Sequence, residues 1–361
     1  MVALVPDVVS RLVKAGASVQ VEHGAGDGAF VSDGEFEAAG ATIVERNAAF
    51  SSDIVVKVRP PDNEEIGLMR NGAAYIGFLN PLDDASRSAA LAAQGVTALS
   101  MELVPRISRA QKMDALSALS SIGGYRAMLM AATTLPKFFP LLTTAAGTVR
   151  PSNVLVLGAG VAGLQAIATA RRLGAKVSAY DIREAAKEEV HSLGAQFVEL
   201  ELDIGDMQDA GGYAKALAEE KSKRQVELLV PFIGKSDVVV STALIPGRRA
   251  PILISEDAVK AMAPGSVIVD MAAANGGNCA LTVADQTVVR HGVTIIGATN
   301  LTADMPVHAS QLYARTLLAM LQDFTDENGF KPNPEDDVFI GSCVCRNGEV
   351  VHERVKNLLK S

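Results

Sequence analysis

The sequence predicts an α/β fold of two Rossmann-like domains with parallel sheets. The second is a dinucleotide-binding domain, and the first is completed by the C-terminal segment. Three observations lead there. The chain has 361 residues, more than one hydrophobic core usually organises. Short apolar, β-branched runs alternate with segments whose apolar residues recur at helical spacing, the pattern of parallel strands with covered faces. A glycine-rich turn joins one such strand to one such helix.

The elements follow in order. "ASVQVEH" (17–23), "DIVVKV" (53–58), "AAYIGFL" (73–79) and "VTALSM" (96–101) read as strands. "PDVVSRLVKAG" and "DDASRSAALAAQG" read as helices closed by glycine. A second series opens with the strand "NVLVLGAG" and the helix "VAGLQAIATARRLGA". It continues through the strands "KVSAYD", "DVVVST" (237–242), "SVIVDM" (266–271) and "VTIIGA" (293–298). Residues 304–324 read as a long helix, followed by a polar tail and a last strand, "DVFIGSCVC". The expected domains are therefore 1–126 with 305–361, and 127–304.

Composition narrows the function classes. Net charge is −8, which argues against nucleic acid or an anionic membrane surface as partner. Three cysteines, Cys279, Cys343 and Cys345, are too few for a disulfide framework and suit a reducing compartment. The opening "MVALVPDVVSRLVKAG" lacks the layout of a signal peptide. The most apolar stretch, "AMLMAATTLPKFFPLL", is interrupted by Pro136, Lys137 and Pro140 and is not expected to span a membrane. The expectation is a soluble protein with no direct membrane insertion. His23, His191, His291, His308 and His352 show no paired ligand spacing, and Cys343 and Cys345 form C-x-C, so no metal site is expected.

"GAGVAG" places glycines at 158, 160 and 163, followed by a helix that begins near Val161. The pattern alone is weak, and a glycine-rich turn without a ligand is its competing reading. Here it follows an apolar strand, opens a helix, and has Asp181 at the end of the next strand, about twenty residues on. Gly158 permits the tight turn, Gly160 admits a pyrophosphate close to the backbone, and Gly163 lets helix and strand pack. Amides at the helix N-terminus meet the phosphate charge. Asp181 is expected to accept from ribose hydroxyls and to repel a 2′-phosphate, favouring NAD(H) over NADP(H). Ile182 and Arg183 adjoin it, and the cation of Arg183 weakens that repulsion.

About thirty residues before the fingerprint runs "RISRAQKMDALSALSSIGGYRA". From Ala110 it reads as an amphipathic helix with Gln111, Asp114, Ser117 and Ser121 on one face and Met113, Leu116, Leu119 and Ile122 on the other. Arg106 precedes it. A solvated polar face is the plain reading. The face is rich in acceptors and uncharged donors, though, and it lies at the expected domain junction, where clefts bind ligands. A carboxamide needs one donor and one acceptor, which Gln111, Asp114 and Ser117 can supply.

Several stretches together carry a family resemblance: "PRISRAQKMDALSALSSIGGYRA", "TAAGTVRPSNVLVLGAGVAGLQAIATARRLGAKVSAYDIR", "AGGYAKALAEE", "STALIPGRRAPILISEDAVKAMAPGSVIVDMAAANGGNC" and "GATN". The chain resembles the NAD(H)-binding alpha, or alpha-1, component of proton-translocating NAD(P) transhydrogenases, with alanine dehydrogenases as wider relatives. The resemblance implies hydride transfer between its NAD(H) and NADP(H) held by a beta subunit, coupled to proton movement through a membrane component. It implies that Arg106, Gln111, Asp114 and Ser117 surround the nicotinamide. Tyr213 resembles the tyrosine of a mobile loop that closes over the nucleotide, and Thr242 to Pro246, Ala243 among them, would line the cleft near the cofactor. It further implies a homodimer, a separate membrane alpha-2 subunit, and a cytoplasmic location, peripheral on the inner membrane. No acid or base is expected, because transfer between two nicotinamides needs proximity and orientation.

The sequence departs from this pattern in three places. Met1 stands where the family has an arginine, so a mis-assigned start or a truncation is expected, with a strand missing from the first domain. Ala298 replaces a usual histidine, and Asn275 stands where an acid is common. An alanine-dehydrogenase-like enzyme is the alternative. Lys57 and Arg59 could bind a carboxylate, but Asn80 stands where that chemistry needs a histidine. A non-catalytic NAD-sensing module is a further alternative.

Overall fold

The structure is a computed structural model that describes residues 1–200, 212–245 and 247–360. The chain divides into two compact units, Met1–Leu119 with Met305–Ser361, and Ser120–Asp304.

The discontinuous unit opens with α1 (Pro6–Lys14), whose Pro6 sits at the first helical position, where a missing N–H costs nothing. β1 (Gln20–Glu22), α2 (Asp33–Ala38), β2 (Thr42–Val44), α3 (Arg46–Phe50), β3 (Ile54–Lys57), α4 (Asn63–Leu68), β4 (Ala74–Gly77), α5 (Ser86–Ala93) and β5 (Thr97–Ser100) follow. β1 and β2 form a parallel pair of their own. β3, β4 and β5 run parallel in a five-stranded sheet. Val2, Leu4 and Val5 are buried in a core with Val8, Val9 and Phe36, and the amide of Val2 donates to Ser310 Oγ at 2.9 Å. The first stretch of this unit closes with a 3-10 segment, Ser108–Met113, and the start of α6 (Ala115–Thr134).

The central unit holds a short hairpin, β6 (Leu142–Thr144) and β7 (Gly147–Val149), then β8 (Asn153–Leu157), α7 (Val161–Arg172), β9 (Lys176–Tyr180), α8 (Ala186–Ser192), β10 (Gln196–Phe197), α9 (Gly212–Gly234), β11 (Val238–Ser241), α10 (Glu256–Ala261), β12 (Val267–Asp270), β13 (Thr287–Arg290) and β14 (Val293–Gly297). Its seven-stranded sheet has the order β10-β9-β8-β11-β12-β14-β13, parallel except for edge strand β13. The inner strands are apolar throughout because both faces are covered. Val154, Val156, Val238, Val240, Val267 and Val269 pack on one side with Ala127, Met128, Ala166 and Ile167. Leu155, Leu157, Val239 and Ile268 pack on the other with Leu229, Ile233, Ala258 and Val259. Each Val, Leu, Ile or Met side chain among these, taken fully from water, contributes about 1.5–3 kcal/mol. Strand order reverses between β8 and β11, and ligands of open α/β sheets bind beyond the strand ends at such a point.

The chain then returns to the first unit through α11 (Pro306–Phe324), a hairpin of β15 (Thr325–Asp326) and β16 (Gly329–Phe330), α12 (Asp337–Ser342), β17 (Cys343–Arg346), β18 (Glu349–Val350) and α13 (Glu353–Lys360). β17 pairs antiparallel with β5, so this sheet is mixed, not wholly parallel. The expected strand "DVFIGSCVC" is therefore half helix. Asp336 caps α12, accepting from the amides of Val338 and Phe339, and this local bonding turns residues 337–342 away from extended structure. Among the described residues no helix is long and apolar enough to cross a membrane, and no group of His, Cys, Asp or Glu could hold a metal ion.

Candidate functional site

The candidate site residues fall into two groups, one in each unit. In the central unit, β8 runs into Gly158, whose φ of +96° is costly for any residue with a Cβ. A Cβ there would lie 2.6 Å from Thr242 Oγ1. One on Gly163 would lie 1.8 Å from the carbonyl oxygen of Gly158. One on Gly160 would meet nothing within 4 Å. Two glycines are thus demanded by packing, and the middle one faces open space. Gly160 is the N-cap of the twelve-residue α7 and Val161 its first residue, so the amides of that first turn have no partner within the helix.

Asp181 follows β9. Its Oδ2 accepts from the amide of Ala159 at 2.8 Å, which ties the carboxylate to the glycine turn. Its Oδ1 accepts from the amide of Arg183 at 2.8 Å. The guanidinium of Arg183 lies across both oxygens, Nε at 3.0 Å and Nη2 at 3.1 Å, and Nη2 also reaches the carbonyl of Ala159 at 3.2 Å. Burial alone would raise the Asp181 pKa; the hydrogen bonds from Arg183 and Ala159 outweigh it and hold the carboxyl below its ordinary value. Ile182 between them is 78% exposed, an apolar surface beside the carboxylate.

Thr242 leaves β11 toward the turn, its Oγ1 donating to the carbonyl of Gly158 at 3.0 Å. Ala243 comes next, with its amide bonded to the side chain of Asn278. Tyr213 falls in the first turn of α9; its side chain, the preceding residues 201–211 and Pro246 lie outside the described residues.

In the other unit, the polar segment differs from its expected form. The α-helix begins at Ala115, not Ala110, and residues 108–113 form a 3-10 turn. Asp114 causes this. Its Oδ1 accepts from the amide of Ser117 at 2.9 Å and its Oδ2 from Ser117 Oγ at 2.6 Å, the bonding of an N-cap. Gln111 and Asp114 therefore do not share a helical face with Ser117 and Ser121. Leu116, expected on the apolar face, is 39% exposed. Two cations of the segment are tied down: Arg109 to Asp336 at 2.6 Å and Lys112 to Asp323 at 2.7 Å. Arg106 and Gln111 are exposed, and among the described residues Arg106 makes no ion pair.

Sequence reasoning missed three supporting groups. Glu102, just after β5, accepts from the amides of Leu79 and Asn80 and from Ser100 Oγ. Burial raises its pKa despite those bonds. Asp270 and Asn278 are fully buried and organise the chain beyond β11 and β12. A charged residue closing the apolar run "SVIVDM" was the available signal for Asp270.

Comparison with known proteins fits this arrangement. Residues 127–353 match the family described as alanine dehydrogenase/PNT, C-terminal domain, and residues 1–123 match its N-terminal domain. The first of the pieces that make up NAD(P) transhydrogenase subunit alpha in Rhodospirillum rubrum is 45% identical, over 97% of this chain and 94% of that protein. NAD(P) transhydrogenase subunit alpha of Haemophilus influenzae is 44% identical, over 97% of this chain and 69% of that protein. Alanine dehydrogenase of Bacillus subtilis is 28% identical, over 98% and 90%. The crystal structure of transhydrogenase from Sinorhizobium meliloti superposes with a TM-score of 0.84 at 39% identity, covering 97% of this chain and 95% of that one. The chain belongs to the alanine dehydrogenase/PNT family, in which its higher identities are to transhydrogenase alpha subunits.

Proposed function

We propose that this chain is the NAD(H)-binding component of a proton-translocating NAD(P) transhydrogenase, passing hydride directly between its own NAD(H) and NADP(H) on a beta subunit. The observation that carries the reading is the glycine turn joined to Asp181 by the Ala159 amide, in a chain 45% identical to a transhydrogenase alpha subunit. The turn fits a dinucleotide: Gly160 faces open space, and unpartnered amides open α7. Asp181 is the ribose acceptor, Ile182 offers an apolar face to the adenine, and Thr242 and Ala243 flank the pyrophosphate.

Bound NAD(H) supplies the carbon that gives or takes the hydride. The residues of this chain hold and orient. Gln111, Asp114 and Ser117 supply donors and acceptors for a carboxamide, and Arg106 adds an exposed cation in the same segment. Asp114 is already oriented by its two bonds to Ser117, which limits the reorganisation needed on binding. No group needs to move a proton in this step. A homodimer and a separate membrane alpha-2 subunit complete the assembly on the cytoplasmic face of the inner membrane. The exposed β6–β7 hairpin, with Val149 at 45% exposure and Leu141 just before β6 at 61%, is consistent with a contact between copies.

The alanine-dehydrogenase alternative is weakened by the first unit. Lys57 Nζ is 2.5 Å from Glu65, whose carboxylate is buried, and so is not free for a substrate carboxylate. Asn80 offers no acid, and its backbone N–H donates to Glu102. The test is a mixture of this protein with the NADP(H)-binding component of a transhydrogenase, following reduction of an NAD analogue by NADPH. Turnover that needs both proteins is expected. Robust turnover of pyruvate and ammonium with NADH by this chain alone would overturn the reading.

A further inference from the structure

Beyond β11 and β12 the chain is held by two buried polar side chains that the proposed chemistry does not use. Asp270 ends β12 and accepts five hydrogen bonds: from Ser241 Oγ, from Thr282 Oγ1, and from the amides of Ala272, Asn278 and Cys279. Gly277 allows this close approach, since a Cβ there would lie 2.8 Å from Asp270 Oδ2. The loop after β12 is thereby folded back onto its own strand end.

That fold presents Asn278 to the loop after β11. Its Oδ1 accepts from the amide of Ala243 at 3.0 Å, and its Nδ2 donates to the carbonyls of Ala243 at 2.9 Å and Pro251 at 2.8 Å. The side-chain amide thus takes both backbone groups of one residue and spends its second N–H on another segment of the same loop. Ala243 lies just past the end of β11, where neighbouring strands no longer pair it, so Asn278 substitutes for the missing ladder. Thr242, one residue earlier, has its Oγ1 against the carbonyl of Gly158.

We propose that Asn278, set by Asp270, is the positioning residue that fixes Thr242 and Ala243 against the glycine turn and thereby sets affinity for the dinucleotide. The inference rests on the reading that this turn binds NAD(H). An apolar residue of similar size would fill the space equally well. Only an amide satisfies one N–H and two carbonyls at once.

The test is Asn278→Asp, with NADH affinity measured by fluorescence at pH 6 and at pH 8.5 alongside wild type and Asn278→Ala. In the variant an ionised carboxylate would face two carbonyl oxygens in a buried place. Burial and the neighbouring charge of Asp270 raise its pKa, while Arg248 and Arg249 on the packed loop are exposed and screened. The protonated acid can accept from Ala243 and donate to one carbonyl. NADH affinity is therefore expected to fall about tenfold at pH 8.5, the size of one lost buried hydrogen-bond set, and to recover substantially at pH 6. Asn278→Ala should be weakened at both values, and wild type should change little between them.

Amide exchange at Ala243 separates this proposal from the cofactor reading. Protection in wild type that is lost in Asn278→Ala shows the clamp whether or not NADH binds, whereas a wild-type protein that binds no NADH sinks the cofactor reading. Thermal unfolding identifies a purely structural role: a lowered melting temperature with unchanged NADH affinity at about 20 °C below it would overturn the proposal. If Asn278→Asp does not fold at pH 8.5, Asn278→Ser, which carries no charge, should weaken NADH at both pH values and lose the protection of the Ala243 amide; unchanged affinity would overturn the proposal.

Discussion

The glycine turn after β8, in one unit, and the polar segment before α6, in the other, hold their shapes by different means. In the turn the backbone sets the shape. Gly158 and Gly163 are required by contacts of 2.6 and 1.8 Å that a Cβ would make, and the atoms proposed to meet the dinucleotide are amides. In the segment 106–117 side chains set it. A 3-10 turn, two ion pairs and the N-cap of Asp114 fix where Arg106 and Gln111 stand. A backbone site should therefore break through sterics, and a side-chain site through chemistry with the fold left standing.

The largest effect is expected from Gly163→Ala. Its Cβ would overlap the Gly158 carbonyl, so α7 must shift from β8, at a cost of about 1–3 kcal/mol of stability together with loss of NADH binding. Gly160→Ala sharpens the point, because it meets nothing in the protein. Its stability should fall by no more than about 1 kcal/mol, the difference between glycine and alanine at an N-cap, while NADH affinity collapses. Equal damage to stability from both variants, read by thermal unfolding, would erase the distinction between packing and ligand-facing glycines.

Asp181→Ala should come next, weakening NADH by about tenfold or more through the loss of charge-assisted hydrogen bonds and relaxing discrimination against NADPH. Its pH dependence follows from the lowered pKa. Only the ionised carboxylate makes charge-assisted bonds through both oxygens, so that contribution is present at neutral pH and is lost as pH falls through the folded-state value, which lies below the ordinary carboxylate range. In Arg183→Ala the guanidinium no longer helps to oppose the burial effect, and the acid limb of NADH binding should move to higher pH. An unchanged limb would remove Arg183 from the control of Asp181.

The smallest effects on NADH binding are expected in the polar segment. Asp114→Asn keeps an N-cap and should leave the melting temperature nearly unchanged while slowing hydride transfer. Asp114→Ala should lose about 1 kcal/mol of stability as well. If both variants bind NADH as poorly as Asp181→Ala does, the residue serves binding and not ring placement.

The same contrast explains what was legible in the sequence. The strands of the central sheet read clearly because Val154 to Leu157, Val238 to Val240 and Val267 to Val269 are buried on both faces and leave unbroken apolar runs. The fingerprint read clearly because its glycines answer to local sterics. The start of α6 was misread because Asp114 and Gln111 fit helical periodicity, and periodicity does not register a cap that stops the helix from extending backward. Residues 337–342 were misread as strand for the related reason that Asp336 bonds locally. Asn278 was not legible at all. Its role depends on Ala243 and Pro251, brought to it by the pairing of β11 with β12.

The central claim is direct hydride transfer between two nicotinamides, with this chain holding one of them. Its most direct test is a single turnover from NADPH deuterated at the transferable C4 position, held on the NADP(H)-binding component, to an NAD analogue on this protein. Direct transfer predicts that the deuterium appears at C4 of the reduced analogue without dilution by solvent protons. Deuterium washed out into water, or reduction of the analogue in the absence of this chain, would contradict it.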